Sequence, residues 1–428
     1  MATVAQMLRR LEQGELDACF RELYGIEKGT VGRQRARYGS ALEAFGRLFG
    51  PQREIALYST PGRTEIGGNH TDHNGGLSLA AAVTLDVVAV VSKNNDNVIR
   101  IRSRGYAETI CIDLNVLEKQ KKETGRSPSL IRGVAAAVQH AQGRLGGFDA
   151  YTTSEILKGS GLSSSAAFEV LVATILNEEY NNAVFTPFET ARMGQYAENE
   201  YYGKACGRLD QLACACGGAL AVDFKDPECP RVEQFELDAA KYGFTLCITD
   251  TKSSHGDVLS EYSGIRLEME AVAAEMGCVR LSQIEEKEFV DQLPRIREKL
   301  GDRCVLRALH FFEECRRAEK MCTALAQKDW NGFLKQVLAS GHSSFEYNQN
   351  AYLPGGKQGI PLGLAISQLL LEGKGAWRLH GGGFAGTVQA YVPDTYLTEY
   401  VKRMEAVFGP GSCYAMQIRR QPAKKLSE

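Results

Sequence analysis

Residues 61–76 read PGRTEIGGNHTDHNGG, and everything else in the chain is easiest to place from this stretch outward. Five glycines exclude a regular helix, and between them stand Arg63, Glu65, His70, Asp72 and His73. Glycine lets a backbone turn tightly, so amides and short polar side chains can gather around a polyhydroxylated or anionic ligand. Taken alone, a turn-rich hairpin with polar surface residues accounts for it equally well. A metal site at His70, Asp72 and His73 is a lesser third reading.

Two more glycine-rich segments occur later in the chain. Residues 158–167, KGSGLSSSAA, lie between a strand-like run, FDAYTTSEI at 148–156, and an apolar-periodic helical stretch at 166–179. Unpaired amides at a helix start, with the positive end of the helix dipole, form a phosphate cradle, and a serine hydroxyl can ligate Mg²⁺. No GK[ST] is present after it, so this is not a Walker A loop; a serine-rich helix cap is the plain alternative. Residues 380–386, HGGGFAG, carry three consecutive glycines that let a backbone approach another loop or a phosphate closely. Residues 206–212, CGRLDQL, place Asp210 just after a glycine turn, where a lone aspartate is ordinarily a cap or a surface charge.

Around these segments the pattern suggests two domains. Residues 1–50 alternate apolar and charged positions at helical spacing and read as a helical extension packed on the N-terminal domain. From residue 55, short β-rich runs are separated by Gly, Asn and Asp turns. The apolar run at 79–91 contains Asp86 and is shorter than the roughly 20 residues a membrane helix needs, so it reads as buried strand. Residues 118–129 read as a solvated loop before a helix at 130–145, with another helix at 188–202 and a strand at 219–224. The charged, proline-containing stretch 223–241 is the candidate boundary, giving domains at 51–240 and 241–428. Beyond it, 243–251 and 386–392 are strand-like, and 261–276 and 305–325 helical.

A chain of 428 residues, 44% hydrophobic and 24% charged, is ordinary globular material. A net charge of −2 supplies no field to hold nucleic acid or an anionic membrane, so small molecules are the expected partners. The amino-terminal residues lack the apolar core of a signal peptide, and 12 cysteines are scattered without a disulfide-like framework. The expected location is the cytoplasm, with Cys214 and Cys216 read as core residues.

Together and in this order, the segments resemble the galactokinase branch of the superfamily of galactokinases, homoserine kinases, mevalonate kinases and phosphomevalonate kinases (the GHMP kinases). Its first motif, GRVNLIGEHTDYNGG, aligns with GRTEIGGNHTDHNGG; its second, GLSSSA, is identical at Gly161 to Ala166; its third, GGGFGG, aligns with Gly381 to Gly386. The resemblance implies an α+β fold: an N-terminal mixed α/β domain like that of ribosomal protein S5, a ferredoxin-like C-terminal domain, and the active site between them. It implies a sugar 1-kinase that transfers the ATP γ-phosphoryl group to the anomeric hydroxyl of galactose, with ATP and Mg²⁺ required. By motif position Asp210 would be the catalytic base and Arg63 its neighbour. Gly159, Ser160, Gly161, Leu162, Ser163, Ser164 and Ser165 would hold ATP, Gly382 and Gly383 would form the third motif, and Ser164 with Glu198 would hold the metal. Asn69, His70, Asp72, Gly207 and Tyr262, the last in a strand-to-helix connection, would bind sugar. A sugar and ATP sensor without turnover is the alternative of another class, disfavoured by the intact second motif and Asp210. Two departures stand out: Asn69 where the family has glutamate, and Glu65 where it has asparagine. In the family that glutamate contacts the O6 end of galactose. Losing the charge there would also admit a C6 carboxylate, so galacturonate stands beside galactose as a candidate.

Overall fold

The computed structural model describes the chain except residues 1, 27–28, 157–160, 205, 254–257, 354–355, 385 and 427–428, and the side chains of 258–260. Two sheets organise it. The larger contains β1 (Ala2–Thr3), β2 (Glu54–Gly67), β3 (Leu77–Lys93), β4 (Val98–Ser103), β5 (Thr109–Asp113), β6 (Phe148–Ser154), β7 (Ala219–Asp223) and β8 (Arg231–Phe235). The smaller contains β9 (Phe244–Asp250), β10 (Ala376–His380), β11 (Thr387–Pro393) and β12 (Cys413–Met416), in the order β10-β11-β9-β12 and antiparallel throughout. With helices packed on both sheets, the arrangement is α+β, and the change of sheet falls between residues 235 and 244.

The apolar run at 79–91 is the middle of β3, which pairs with β2 along one edge and with β7 and then β6 along the other. Its side chains alternate between two cores. Val87, Ala89 and Val91 face the main core, while Val88 and Val90 pack with α1 (Val4–Glu12), α2 (Asp17–Tyr24) and α3 (Thr30–Phe49). A strand buried on both faces is apolar at every position, which is why the run shows no polar alternation. Asp86 interrupts it and is fully buried. Arg37 Nη1 and Tyr24 Oη donate to it at 2.6 and 2.7 Å, Arg419 Nη1 at 3.3 Å, and Ser59 Oγ adds a further bond.

Three details differ from the sequence reading. Residues 61–67 are not loop but the end of β2, so 61–76 is a β-hairpin whose glycines serve the turn and the irregularities at Pro61/Gly62 and Glu65/Gly67. The carboxy-terminal end does not stay with the second sheet. Ile418 bridges to Val83, and β13 (Lys424–Lys425) pairs with β2, so the last residues return to the first domain. The helix at 130–145 begins earlier, as α4 (Ser127–His140), because Pro128 suits a first helical turn.

Among the described residues no helix is long and apolar enough to cross a membrane.

Candidate active site

Strand β2 carries Arg63 and Glu65 two positions apart, hence on one face. Opposite them, α7 (Leu209–Cys216) presents Asp210 in its first turn, where the helix dipole favours a negative charge. Arg63 grips Asp210 with a fork: Nε donates to Oδ1 at 2.5 Å and Nη2 to Oδ2 at 2.7 Å. Burial pushes the Asp210 carboxyl up, but the Arg63 guanidinium and the Ser163 hydroxyl outweigh it and hold the group below the usual carboxylate range. Arg63 Nη1 also donates to the Gly161 carbonyl, tying the second glycine segment to the same spot.

That segment leads into α5 (Ser164–Tyr180). Ser163 holds the position before the helix in a left-handed conformation, φ 57°, and caps none of its amides, since its hydroxyl is given to Asp210. The first amides of α5 therefore remain available to a phosphate oxygen. Gly161 is also left-handed, and a Cβ there would sit 2.9 Å from the His380 ring, so the second and third glycine segments touch. Gly159 and Ser160 lie outside the described residues; Leu162 is buried.

Glu198 lies in a wider, π-type turn (Ala197–Tyr202) that continues α6 (Pro187–Tyr196). Its buried carboxylate accepts from Lys204 Nζ at 3.0 Å, Gln211 Nε2 at 3.0 Å, Cys206 Sγ at 3.1 Å and Ser165 Oγ at 3.2 Å. A serine hydroxyl and a carboxylate are ligands that a hard divalent cation takes, but here the Lys204 ammonium already occupies the Glu198 carboxylate, so a cation would have to displace it. It is Ser165 that reaches Glu198; Ser164 occupies the first helical position beside it. Gln211 also bonds Glu169 at 3.0 Å, and burial together with Glu198 pushes the Glu169 carboxyl well up.

The turn after β2 supplies the other wall of the pocket. His70 adopts φ 58°, a conformation few non-glycine residues hold without support. The support comes from the second domain. Glu314, on the helix Asp302–Ala326, accepts from the amides of Gly68 and Asn69 at 3.1 and 3.4 Å, and His310 Nε2 bonds the Asn69 carbonyl at 2.9 Å. The Gly382 carbonyl holds His70 Nε2 at 3.0 Å, and burial lowers that imidazole to about 4, leaving it neutral. The third glycine segment thus faces this turn, and a Cβ on Gly382 would strike the Tyr262 ring. Tyr262 is within α8 (Val258–Glu275) rather than in a connection before it, its ring centroid 5.1 Å from that of His70.

Asp72 and Gly207 meet: a Cβ on Gly207 would lie 3.1 Å from Asp72 Cγ and still closer to its Oδ2. No side chain among the described residues donates to Asp72, and burial, aided by Asp210, pushes its carboxyl up to about 6. It lines the pocket as an acceptor held by backbone amides alone, that of His73 first. Asn69 differs. Its Nδ2 donates to Glu65 Oε1 at 3.0 Å and to the Gly381 carbonyl at 2.8 Å, while its Oδ1 accepts from Asn350 at 3.0 Å and Ser344 at 3.3 Å. The negative charge missing at residue 69 is present four residues earlier, on Glu65, which Arg378 Nη2 pairs at 2.6 Å.

Arg63, Asn69, His70, Asp72, Gly207 and Asp210 thus line one pocket, closed by Tyr262, Gly381 and Gly382 from the second domain. Lys204 and Cys206 also line it and escaped the sequence reading, although both adjoin the CGRLDQL segment. His70, Asp72 and His73 form no metal cluster; among the described residues no group of three or more His, Cys, Asp or Glu side chains could hold a metal ion.

The family model for the GHMP kinases N terminal domain matches residues 129–218, and the galactokinase galactose-binding signature matches residues 43–93. A galactokinase of Streptomyces coelicolor is 30% identical over 385 residues, covering 89% of this chain and 95% of that one. A galactokinase of Clostridium acetobutylicum is 29% identical, covering 86% and 92%. Among solved structures, the galactokinase of Lactococcus lactis complexed with galactose has a TM-score of 0.77 at 24% identity, covering 89% of this chain and 98% of that one. Mevalonate kinase of Methanococcus jannaschii shares the fold with a TM-score of 0.62 at 15% identity, covering 85% and 98%.

Proposed function

We propose that this chain, which belongs to the galactokinase family of ATP-dependent sugar kinases, phosphorylates the anomeric hydroxyl of galactose with Asp210 as the base. The observation that carries the reading is the Arg63 fork on Asp210, which keeps a half-buried carboxylate ionised beside the phosphate-capable start of α5. In the transfer, the sugar O1 bonds to the γ-phosphorus as the bond from phosphorus to the bridging oxygen breaks. The O1 proton passes to an Asp210 oxygen, and ADP leaves with the electron pair. Asp72 accepts from sugar hydroxyls, and Gly207 leaves room for its carboxylate. The amides of Ser164 and Ser165 receive phosphate oxygens, and Gly161 brings Arg63 and the loop together. Mg²⁺, held by Glu198 and a serine hydroxyl, would neutralise charge on the nucleotide phosphates.

The test is ADP release with galactose and ATP. The wild type consumes ATP, and Asp210→Asn retains ATP affinity while losing about 10²- to 10⁴-fold in rate. Residual activity within about tenfold of wild type would remove Asp210 as the base.

A further inference from the structure

We propose that Glu65, rather than Asn69, is the polar group that meets the non-reacting end of the sugar, and that it restricts that end to a neutral hydroxyl. The inference rests on the galactose kinase reading above. Glu65 and Arg63 share a face of β2, so Glu65 stands roughly 7 Å along the strand from the arginine that holds the base. Glu65 lines the same pocket as Asp210, so a pyranose whose anomeric oxygen lies against the base has Glu65 in the wall around its remaining hydroxyls. Of the side chains at this end of the pocket, Asn69 has no capacity left. Both of its amide hydrogens and its carbonyl oxygen are engaged with Glu65, Gly381, Asn350 and Ser344. His70 Nε2 is likewise taken by the Gly382 carbonyl.

Glu65 is different. Its Oε1 is anchored by Arg378 at 2.6 Å and Asn69 at 3.0 Å, but Oε2 has a single long contact, 3.3 Å from Asn69 Nδ2. An oriented carboxylate with one oxygen unspent is a strong acceptor for a hydroxyl. Burial pushes the Glu65 carboxyl up, and Arg378 is the nearest charge that opposes this and favours the ionised form. Arg378 is fully buried, its Nε and Nη1 have no partner, and Glu65 is its ion-pair partner. The Asn69 amide, clamped from four sides, acts as the brace that aims Glu65.

The geometry carries a substrate consequence. A carboxylate at C6 would meet the Glu65 carboxylate at about 4 Å, and the repulsion is enough to cost about a thousandfold in rate. The wild type therefore takes galactose and rejects galacturonate.

The experiment measures kcat/KM for galactose, 6-deoxygalactose and galacturonate in the wild type and in Glu65→Gln. The wild type should lose about 10- to 100-fold on 6-deoxygalactose, the worth of a charged hydrogen bond. Glu65→Gln should lose a similar factor on galactose, show little further loss on 6-deoxygalactose, and gain on galacturonate. Because Gln leaves Arg378 without its counter-charge, a second pair of variants guards against misfolding. Asn69→Glu alone sets two carboxylates against each other and should lose galactose activity, whereas Glu65→Asn combined with Asn69→Glu keeps one carboxylate and one amide and should recover it. A wild type inactive on galactose would overturn the kinase reading itself. Galactose activity with equal loss on 6-deoxygalactose in wild type and Glu65→Gln would overturn only the role of Glu65.

Discussion

Asp72 should make the empty protein less stable and the sugar complex possible, so Asp72→Asn is expected to move these two properties in opposite directions. Its carboxyl is pushed from an ordinary 3.8 up to about 6, first by burial and also by the charge of Asp210. At about 1.4 kcal/mol per pH unit, that rise corresponds to about 3 kcal/mol of folding free energy lost when the group is ionised. Solvent reaches part of the side chain and trims the figure to about 2 kcal/mol. The sign is set by the raised value. Well above 6 the group is ionised in both states and the whole penalty is present; as pH falls below about 6 the folded state takes up its proton first and the penalty shrinks, vanishing below 3.8. Thermal unfolding of wild type and Asp72→Asn across that range is the assay. In neutral or alkaline buffer the variant should melt about 4–8 °C higher, with the difference closing towards pH 4. Sugar affinity, measured by calorimetry, should fall about tenfold, because the amide keeps one neutral accepting oxygen where the carboxylate offers two charged ones. A variant that melts lower than wild type in alkaline buffer, or binds sugar unchanged, would refute the assignment of Asp72 as an acceptor for the sugar.

Ser164→Ala and Glu198→Gln should each raise the Mg²⁺ concentration needed for half-maximal rate, with excess Mg²⁺ partly rescuing the serine variant; a magnesium titration superimposable on wild type for both would place the metal elsewhere. Asp86→Ala should destabilise the first domain by about 3–5 kcal/mol in denaturant unfolding, since it leaves Arg37 and Arg419 buried without their central counter-charge. A loss under about 1 kcal/mol would mean that Glu155, 3.1 Å from Arg37, suffices as partner.

Much of this protein is decided locally and is therefore legible in one dimension. The apolar run of β3, the helix after GLSSSA and the glycine turns are consequences of burial on both faces, of helix-start chemistry and of backbone freedom, none of which needs a distant partner. The pairing of Arg63 with Asp210, 147 positions apart, is implied only by the resemblance to the galactokinases, and read alone Asp210 is a cap or a surface charge. Chain tracing alone could not show that the hairpin continues β2 through Glu65, because the same glycines serve a turn or a bulge. Nor could it show that Asn69 is spent and Glu65 is not. Both are acceptors by composition, and the difference lies in Arg378, 313 positions from Glu65, and in Asn350, 281 positions from Asn69. Asp86 is the same case in the core: a lone charge in an apolar run until Arg37 and Arg419 arrive from opposite ends of the chain. Residue types and their spacing determine which groups can hydrogen bond and which segments must be buried. Tertiary packing decides which of those groups are satisfied internally, and so which remain to meet a substrate.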